Sequence, residues 1–298
     1  MFEFFANIFG YLLEFLYNLI NNYGLAIILF TIIIKLLLLP LSIKQQRTMK
    51  KSAKLQEKIK TIQFKYKNDP EKMNKEVMEL YKNEKMSPFS GCLTAIIQFL
   101  LLLSIFYLVR SPLTYMEKLS KDDINKYVTQ LQEEGKISSS VYPEIDVIRE
   151  YNWLKEKNPE DSNIDKVNLQ MNLFGLDLSK VPQQNMADYT VYIIPVLYIL
   201  SSFISIRMTT AMQQKQQEEK QENIIDGETG KELVPEEESN EMDAVMQTNK
   251  MMSWMMPIMS ISIAFVAPLG LALYWLMSNI LMILERLVLN KAIKTEEE

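Results

Sequence analysis

Long apolar runs alternate along the chain with strongly charged stretches. Residues 25–43, 93–109, 191–206 and 258–284 are dominated by Ile, Leu, Val, Phe and Met. Blocks of about 17 to 25 apolar residues match the hydrocarbon thickness of a bilayer, so these runs predict membrane-spanning helices. The last is too long for one helix, and Pro268-Leu269-Gly270 near its middle supplies a turn that divides it in two. The expected architecture is an all-α polytopic membrane protein with five transmembrane helices, at 23–43, 89–110, 188–208, 249–267 and 270–290. The last two are short, which demands tilt, polar flanks or a locally thinned bilayer.

The segments between the spans have patterns of their own. Residues 1–22 mix aromatic and aliphatic positions with Glu3, Asn7, Glu14 and Asn18, which suits an amphipathic helix in the outer interface. Residues 44–88 predict a basic helical hairpin. Its first arm carries Leu55, Ile59, Ile62 and Tyr66 at helical spacing, and its second carries Met73, Val77 and Leu80 after an Asp69 cap and Pro70. In the insertion 111–187, Ile124, Tyr127, Val128 and Leu131 predict one amphipathic helix, and Ile145, Ile148 and Trp153 another. Leu173-Phe174-Gly175-Leu176 looks like a chain returning to the membrane. Residues 209–248 are rich in Gln, Glu and Lys and predict a largely disordered loop, and 291–298 form a short tail.

Charge placement sets the expected orientation. Residues 44–90 hold 13 Lys/Arg against six Asp/Glu, whereas residues 1–24 hold no Lys or Arg. Basic connections stay in the cytoplasm, so the N-terminus faces out and the hairpin, the 209–248 loop and the C-terminus face in. The insertion 111–187 is then external and long enough to escape the rule despite nine Lys/Arg. The whole-chain values, a net charge of −5 and a mean hydropathy of −0.04, average these contrasts away. With no histidine and a single cysteine, Cys92, the chain has few ligands for zinc or redox chemistry and no intrachain disulfide; no cofactor is expected. Met1-Phe2-Glu3 opens without the basic region of a signal peptide.

Lys35 is a cation in the middle of the first apolar run. A central lysine costs about 2.5 to 3.5 kcal/mol on insertion scales, which the surrounding Ile and Leu residues outweigh. Nine residues separate it from Lys44, roughly 13 Å along a helix, while its side chain reaches only about 6 Å, so snorkelling falls short. Asp188 and Glu285 lie near span ends, which leaves Lys35 without a carboxylate at its depth and favours a hydrated cavity; a structural contact with backbone carbonyls is the alternative. Neutral polar groups stand where such a cavity needs them. Thr31 is one turn from Lys35, Thr94 and Gln98 share a face of the second span, Tyr198, Ser202 and Ser205 one of the third, and Trp275 and Asn279 one of the fifth, beside Tyr274 and Ser278. Met251, Met252, Met255, Met256 and Met259 give the fourth span a flexible thioether surface.

These residues resemble the YidC-type (Oxa/Alb/YidC) membrane protein insertases. The likeness rests on Thr31-Ile-Ile-Ile-Lys35-Leu-Leu-Leu-Leu-Pro40, the charged hairpin, Pro88-Phe-Ser-Gly91-Cys92-Leu with Gln98 following, Met256-Pro257, and Pro268-Leu-Gly270-Leu-Ala-Leu-Tyr274-Trp275-Leu-Met-Ser278-Asn279. The resemblance implies a hydrophilic groove that receives the polar part of an incoming segment while its apolar helix slides into the bilayer. It places Lys35 at the family's groove arginine with Thr31 one turn before it, Gln98 in the groove wall, and Tyr274 and Trp275 along the sliding surface; Asn279 joins them from the polar face of the fifth span. It further implies a non-enzymatic insertase and chaperone acting on nascent membrane proteins in the lipid bilayer, alone or with the Sec translocon, with the ribosome or signal recognition particle machinery as further partners. No nucleic-acid binding is implied.

The sequence departs from the family pattern in several places. Lysine replaces arginine, keeping the charge but losing the planar fork, and Thr94 and Leu100 stand where prolines are common. The external insertion is long, and the C-terminal tail is short and acidic, against a ribosome-binding tail. A large periplasmic domain is missing, which points to a bacterial plasma membrane of the single-membrane kind. Two other function classes lack support in the sequence: no inverted repeats mark a transporter, and no nucleophile and base stand together in the spans as an enzyme requires.

Overall fold

The computed structural model describes residues 2–66, 69–84, 90–138, 141–221 and 263–297, with some side chains inside the helices left out. The chain divides into two compact units, one of residues 1–36, 100–205 and 254–298, the other of residues 37–99 and 206–253.

In the first unit, α1 (Phe2–Ile20) has two apolar stripes. Ala6, Gly10, Leu13, Leu16 and Tyr17 are buried, while Phe4, Ile8, Tyr11, Phe15 and Leu19 recur at helical spacing on the exposed side. Asn21 ends α1 in the left-handed conformation with φ 50°, and Asn22 caps the next helix, accepting from Leu25 N at 3.0 Å. That helix, α2 (Tyr23–Lys65), continues through Pro40. The span and the basic arm placed after it in sequence are one helix. Proline removes a single N–H from the ladder, and the good helix formers on both sides carry the rod past it.

Within the second unit, α3 (Pro70–Asn83) starts at Asp69, whose carboxylate accepts from Lys72 N at 3.0 Å with Pro70 in the first turn. Lys58 of α2 pairs with Glu84 just beyond α3. The next helix, α4 (Ser90–Arg110), begins in this unit and enters the first at Leu100.

The insertion after α4 has a core of its own. Helices α5 (Pro112–Tyr115), α6 (Lys121–Glu133), α7 (Pro143–Arg149) and α8 (Tyr151–Lys157) bury Leu113, Ile124, Tyr127, Leu131, Val147 and Leu154. The run through Ile148 and Trp153 is two helices, broken at Glu150. Within this otherwise helical architecture, β1 (Asn172–Leu173) and β2 (Leu176–Asp177) form a short antiparallel hairpin. Phe174 and Gly175 both have positive φ, 51° and 85°, which lets the chain reverse in two residues and pair its flanks.

Three helices are long and apolar enough to cross a membrane among the described residues: Tyr23–Thr48, Tyr189–Met208 and Leu269–Leu289. The second of these enters α9 (Ile193–Gln221), and the third lies in α10 (Leu269–Glu297), which restarts after a break at Pro268. The span expected at 89–110 is described as an apolar helix over Phe99–Arg110. Most of the one expected at 249–267, including its methionines, and most of the 209–248 loop lie outside the described residues.

Candidate functional site

Three membrane helices begin at one level, tied there by the β-hairpin segment. Tyr23 N donates to Gln170 O at 3.0 Å, Leu269 N to Lys180 O at 2.9 Å, and Gly270 N to Leu178 O at 3.0 Å. These bonds satisfy amide groups that the first turn of a helix leaves without partners. The third helix starts at Tyr189–Tyr192, a 3-10 turn packed on β2. The helices from Tyr23, Tyr189 and Leu269 therefore run parallel from a common surface. Helix α4 arrives there from the other direction, its Val109 O meeting the Tyr23 hydroxyl at 3.5 Å.

This arrangement decides the surroundings of Lys35. Its Nζ lies 3.7 Å from Glu285 Oε2, with the two side chains 29% and 13% exposed. The expectation that no carboxylate reaches its depth is corrected. Lys35 is twelve residues past Tyr23 and Glu285 fifteen past Gly270, about 18 and 23 Å along two parallel rods, a difference that two long side chains bridge. Glu285 does lie near the end of the apolar span Leu269–Leu289, but Lys35 reaches toward that same level, so nearness to a span end did not keep the two apart. Thr31, also in α2, is buried, and its hydroxyl donates to Ile27 O at 2.6 Å, so its proton is used within its own helix.

A second polar cluster joins α9 to α10. Asn279 Nδ2 donates to Ser202 Oγ at 2.8 Å and Ser201 Oγ at 3.3 Å, while Ser201 Oγ donates to Tyr198 O at 2.8 Å. The Tyr198 and Trp275 rings sit 6.1 Å apart, tilted by 35°. Two of the faces singled out in sequence thus meet each other, with Trp275 half-buried and Tyr274 buried beside Ser278. Interhelical hydrogen bonds of this kind average about 0.6 kcal/mol in membranes, so the cluster fixes register more than it adds stability. Gln98 lies in α4, with its side chain outside the described residues. Sequence reasoning missed Glu285 as a partner and Ser201 altogether. A signal for Glu285 existed in its spacing from Gly270.

The insertion after α4 carries a buried carboxyl group of its own. Glu144 Oε1 and Oε2 accept from Thr114 Oγ1 at 2.6 Å and Thr114 N at 3.0 Å. Burial still holds its carboxyl above the ordinary range. It borders a cleft of about 330 Å³ lined also by Tyr107, Arg110, Ser111 and Lys121. Glu117, facing the Glu14 carboxylate, is pushed up to about 7, first by burial and then by that like charge, against the opposing effect of Lys166. Among the described residues no group of three or more His, Cys, Asp or Glu is placed to hold a metal ion.

Comparison with known proteins adds to this geometry. The model of the 60Kd inner membrane protein family matches residues 15–297. A protein of Chlorobaculum parvum named "Membrane protein insertase YidC" is 28% identical over 279 residues, 94% of this chain and 35% of that protein. One of Treponema denticola with the same name is 26% identical over 95% of this chain and 37% of its own length. One of Caldanaerobacter subterraneus subsp. tengcongensis, again so named, is 42% identical over 102 residues, 34% of this chain and 50% of that protein. The chain spans about a third to a half of the length of these relatives.

Proposed function

Since this chain belongs to the 60Kd inner membrane protein family, we propose that it is an insertase and chaperone that helps newly made membrane proteins enter the bilayer and fold there, without covalent chemistry. The ion pair between Lys35 and Glu285 within the apolar stretch carries this reading, because Lys35 is still 29% exposed. A partly open charge pair at membrane depth holds water and keeps a hydrophilic groove wet. An acidic tail entering the groove takes the place of Glu285 against Lys35, exchanging one carboxylate for another, so the lysine never loses a partner. The barrier to carrying the tail inward falls because the cation is paired at both ends of the exchange.

Half-buried Trp275 in α10 offers aromatic surface to the sliding apolar segment with buried Tyr274 packed beside it in the helix, Asn279 holds α9 at a fixed distance, and Thr31 shapes the wall beside Lys35. Gln98 enters from the sequence alone, through the polar face it shares with Thr94 and through the family resemblance. The five spans, the external N-terminus and the cytoplasmic C-terminus follow from apolar run length and basic-residue placement, and a bacterial plasma membrane is the matching location. Nascent membrane proteins and lipid are the direct partners, with the Sec translocon, the ribosome and signal recognition particle machinery as routes of delivery.

A photo-reactive residue at Trp275 tests the sliding surface. Stalled nascent chains with one apolar segment are expected to crosslink there well above the level from the exposed external position Glu134. Equal yields from the two positions would remove Trp275 from the substrate path.

A further inference from the structure

The hairpin at residues 172–177 presents an aromatic ring to its surroundings. Phe174 is 87% exposed at the tip, in the left-handed conformation that disfavours residues with a Cβ, although Gly175 beside it supplies the second positive φ. No folding requirement calls for phenylalanine there; asparagine or glycine suits the backbone better.

Its location explains the choice. The strands flanking the tip sit against the starts of the membrane helices: a Cβ on Gly24 would lie 2.9 Å from Leu173 Cβ and 2.8 Å from Leu178 Cδ1. Glycine is what lets the hairpin approach so closely. Strand β2 packs on the turn Tyr189–Tyr192, where a second unpacked aromatic, Tyr189, is 85% exposed. Below Tyr189, Ile193, Val196, Leu197, Leu200, Phe203 and Ile204 continue one exposed apolar stripe down α9 at helical spacing. In a membrane-spanning helix such a stripe faces lipid, so Tyr189 stands where the lipid-facing surface meets water.

We propose that the Phe174 tip and Tyr189 form an interfacial anchor, with the Phe174 ring seated among lipids at the headgroup boundary of the leaflet where these three helices begin. Aromatic side chains at that depth gain apolar burial while their polar neighbours stay hydrated, and Lys180, paired with Asp188 at 2.8 Å, sits beside them. The anchor fixes the external unit, through its hairpin, at the height of the helix starts.

The test places a nitroxide at position 174 in the full-length chain, as Phe174→Cys with Cys92→Ser, reconstituted in phosphatidylglycerol–phosphatidylethanolamine bilayers. A second label at Glu134→Cys serves as the aqueous reference. The expected result is a ratio of oxygen to nickel-chelate collisions several-fold higher at 174 than at 134. Equal ratios would overturn the anchor. Spin–spin broadening at 174 that vanishes on dilution with unlabelled protein would also overturn it, assigning the tip to contact between copies. Because a nitroxide is itself apolar, Phe174→Asn provides an independent measure. Its backbone preference fits the turn, so its thermal midpoint in detergent should match or exceed that of the parent, while protease cleavage at residues 172–177 in bilayers should rise several-fold. Unchanged protection in bilayers would contradict the proposal.

Discussion

Replacing Glu285 by Gln leaves Lys35 without the carboxylate that now lies 3.7 Å away. Partner exchange predicts that Glu285→Gln inserts acidic-tailed substrates at least as fast as the parent, because the resident competitor is gone. Lys35→Arg should retain activity, whereas Lys35→Leu should lose more of it for acidic tails than for neutral ones, read in a protease-protection assay of insertion. Lys35→Leu alone also takes one cation from Glu285, leaving Arg286 beside it, and breaking a buried pair from one side costs about 3–5 kcal/mol, with less expected for this partly exposed one. The double variant Lys35→Leu, Glu285→Leu separates the two effects. It should recover thermal stability while keeping the loss for acidic tails, and recovery of both would make the pair purely structural. At Glu117 the linkage sign is fixed by a carboxyl raised to about 7 in the folded chain. The native state then binds more protons than the unfolded one between about pH 4.5 and 7, so stability falls as pH rises through that window. Glu117→Gln should flatten the pH dependence of the thermal midpoint there and raise the midpoint at pH 8. An unchanged profile would contradict the assignment. At this scale the sequence revealed Lys35 as an oddity but not its partner, because Glu285 near the end of its span was set apart from Lys35 although two long side chains on parallel helices bridge the difference in level.

The helices and their joints make their own predictions. A Cβ on Gly10 would lie 1.9 Å from the Tyr115 carbonyl oxygen, a backbone atom that cannot swing aside. Gly10→Ala is therefore expected to push α1 off α5 and cost about 1–3 kcal/mol, seen as a lower thermal midpoint and faster proteolysis of α1. Gly10→Ala with an unchanged midpoint would show that α1 does not depend on that contact. The apolar runs were readable because a bilayer demands about 20 apolar residues in a row and little else produces them. The hairpin of β1 and β2 was not. Its strands are two residues each, too short for an alternation to register, and the turn signal Phe174-Gly175 lacks the Asn or Asp that commonly precedes the glycine. The continuity of α2 through Pro40 was hidden for another reason: proline is read as a stop, yet long flanking helices absorb one lost hydrogen bond.

Across the whole molecule, family membership and membrane character were legible, since motif order and apolar run length survive without any knowledge of packing. The parallel start of three membrane helices was implied by alternation of spans, but the carbonyls of Gln170, Leu178 and Lys180, which accept from the first amides of the Tyr23 and Leu269 helices and hold those two starts at one level, belong to an insertion with no motif to betray it. That insertion buries Tyr127, Leu131, Leu154 and Ile164 in a core of its own, so it should remain folded and protease-resistant when the membrane helices are held in mild detergent. Insertase activity itself is tested most directly by reconstituting the full-length chain into liposomes with a short single-span substrate bearing an acidic external tail. The expected result is a several-fold gain in protected, correctly oriented substrate over protein-free liposomes, reduced by Lys35→Leu and kept by Glu285→Gln; no gain over protein-free liposomes would contradict the proposed function.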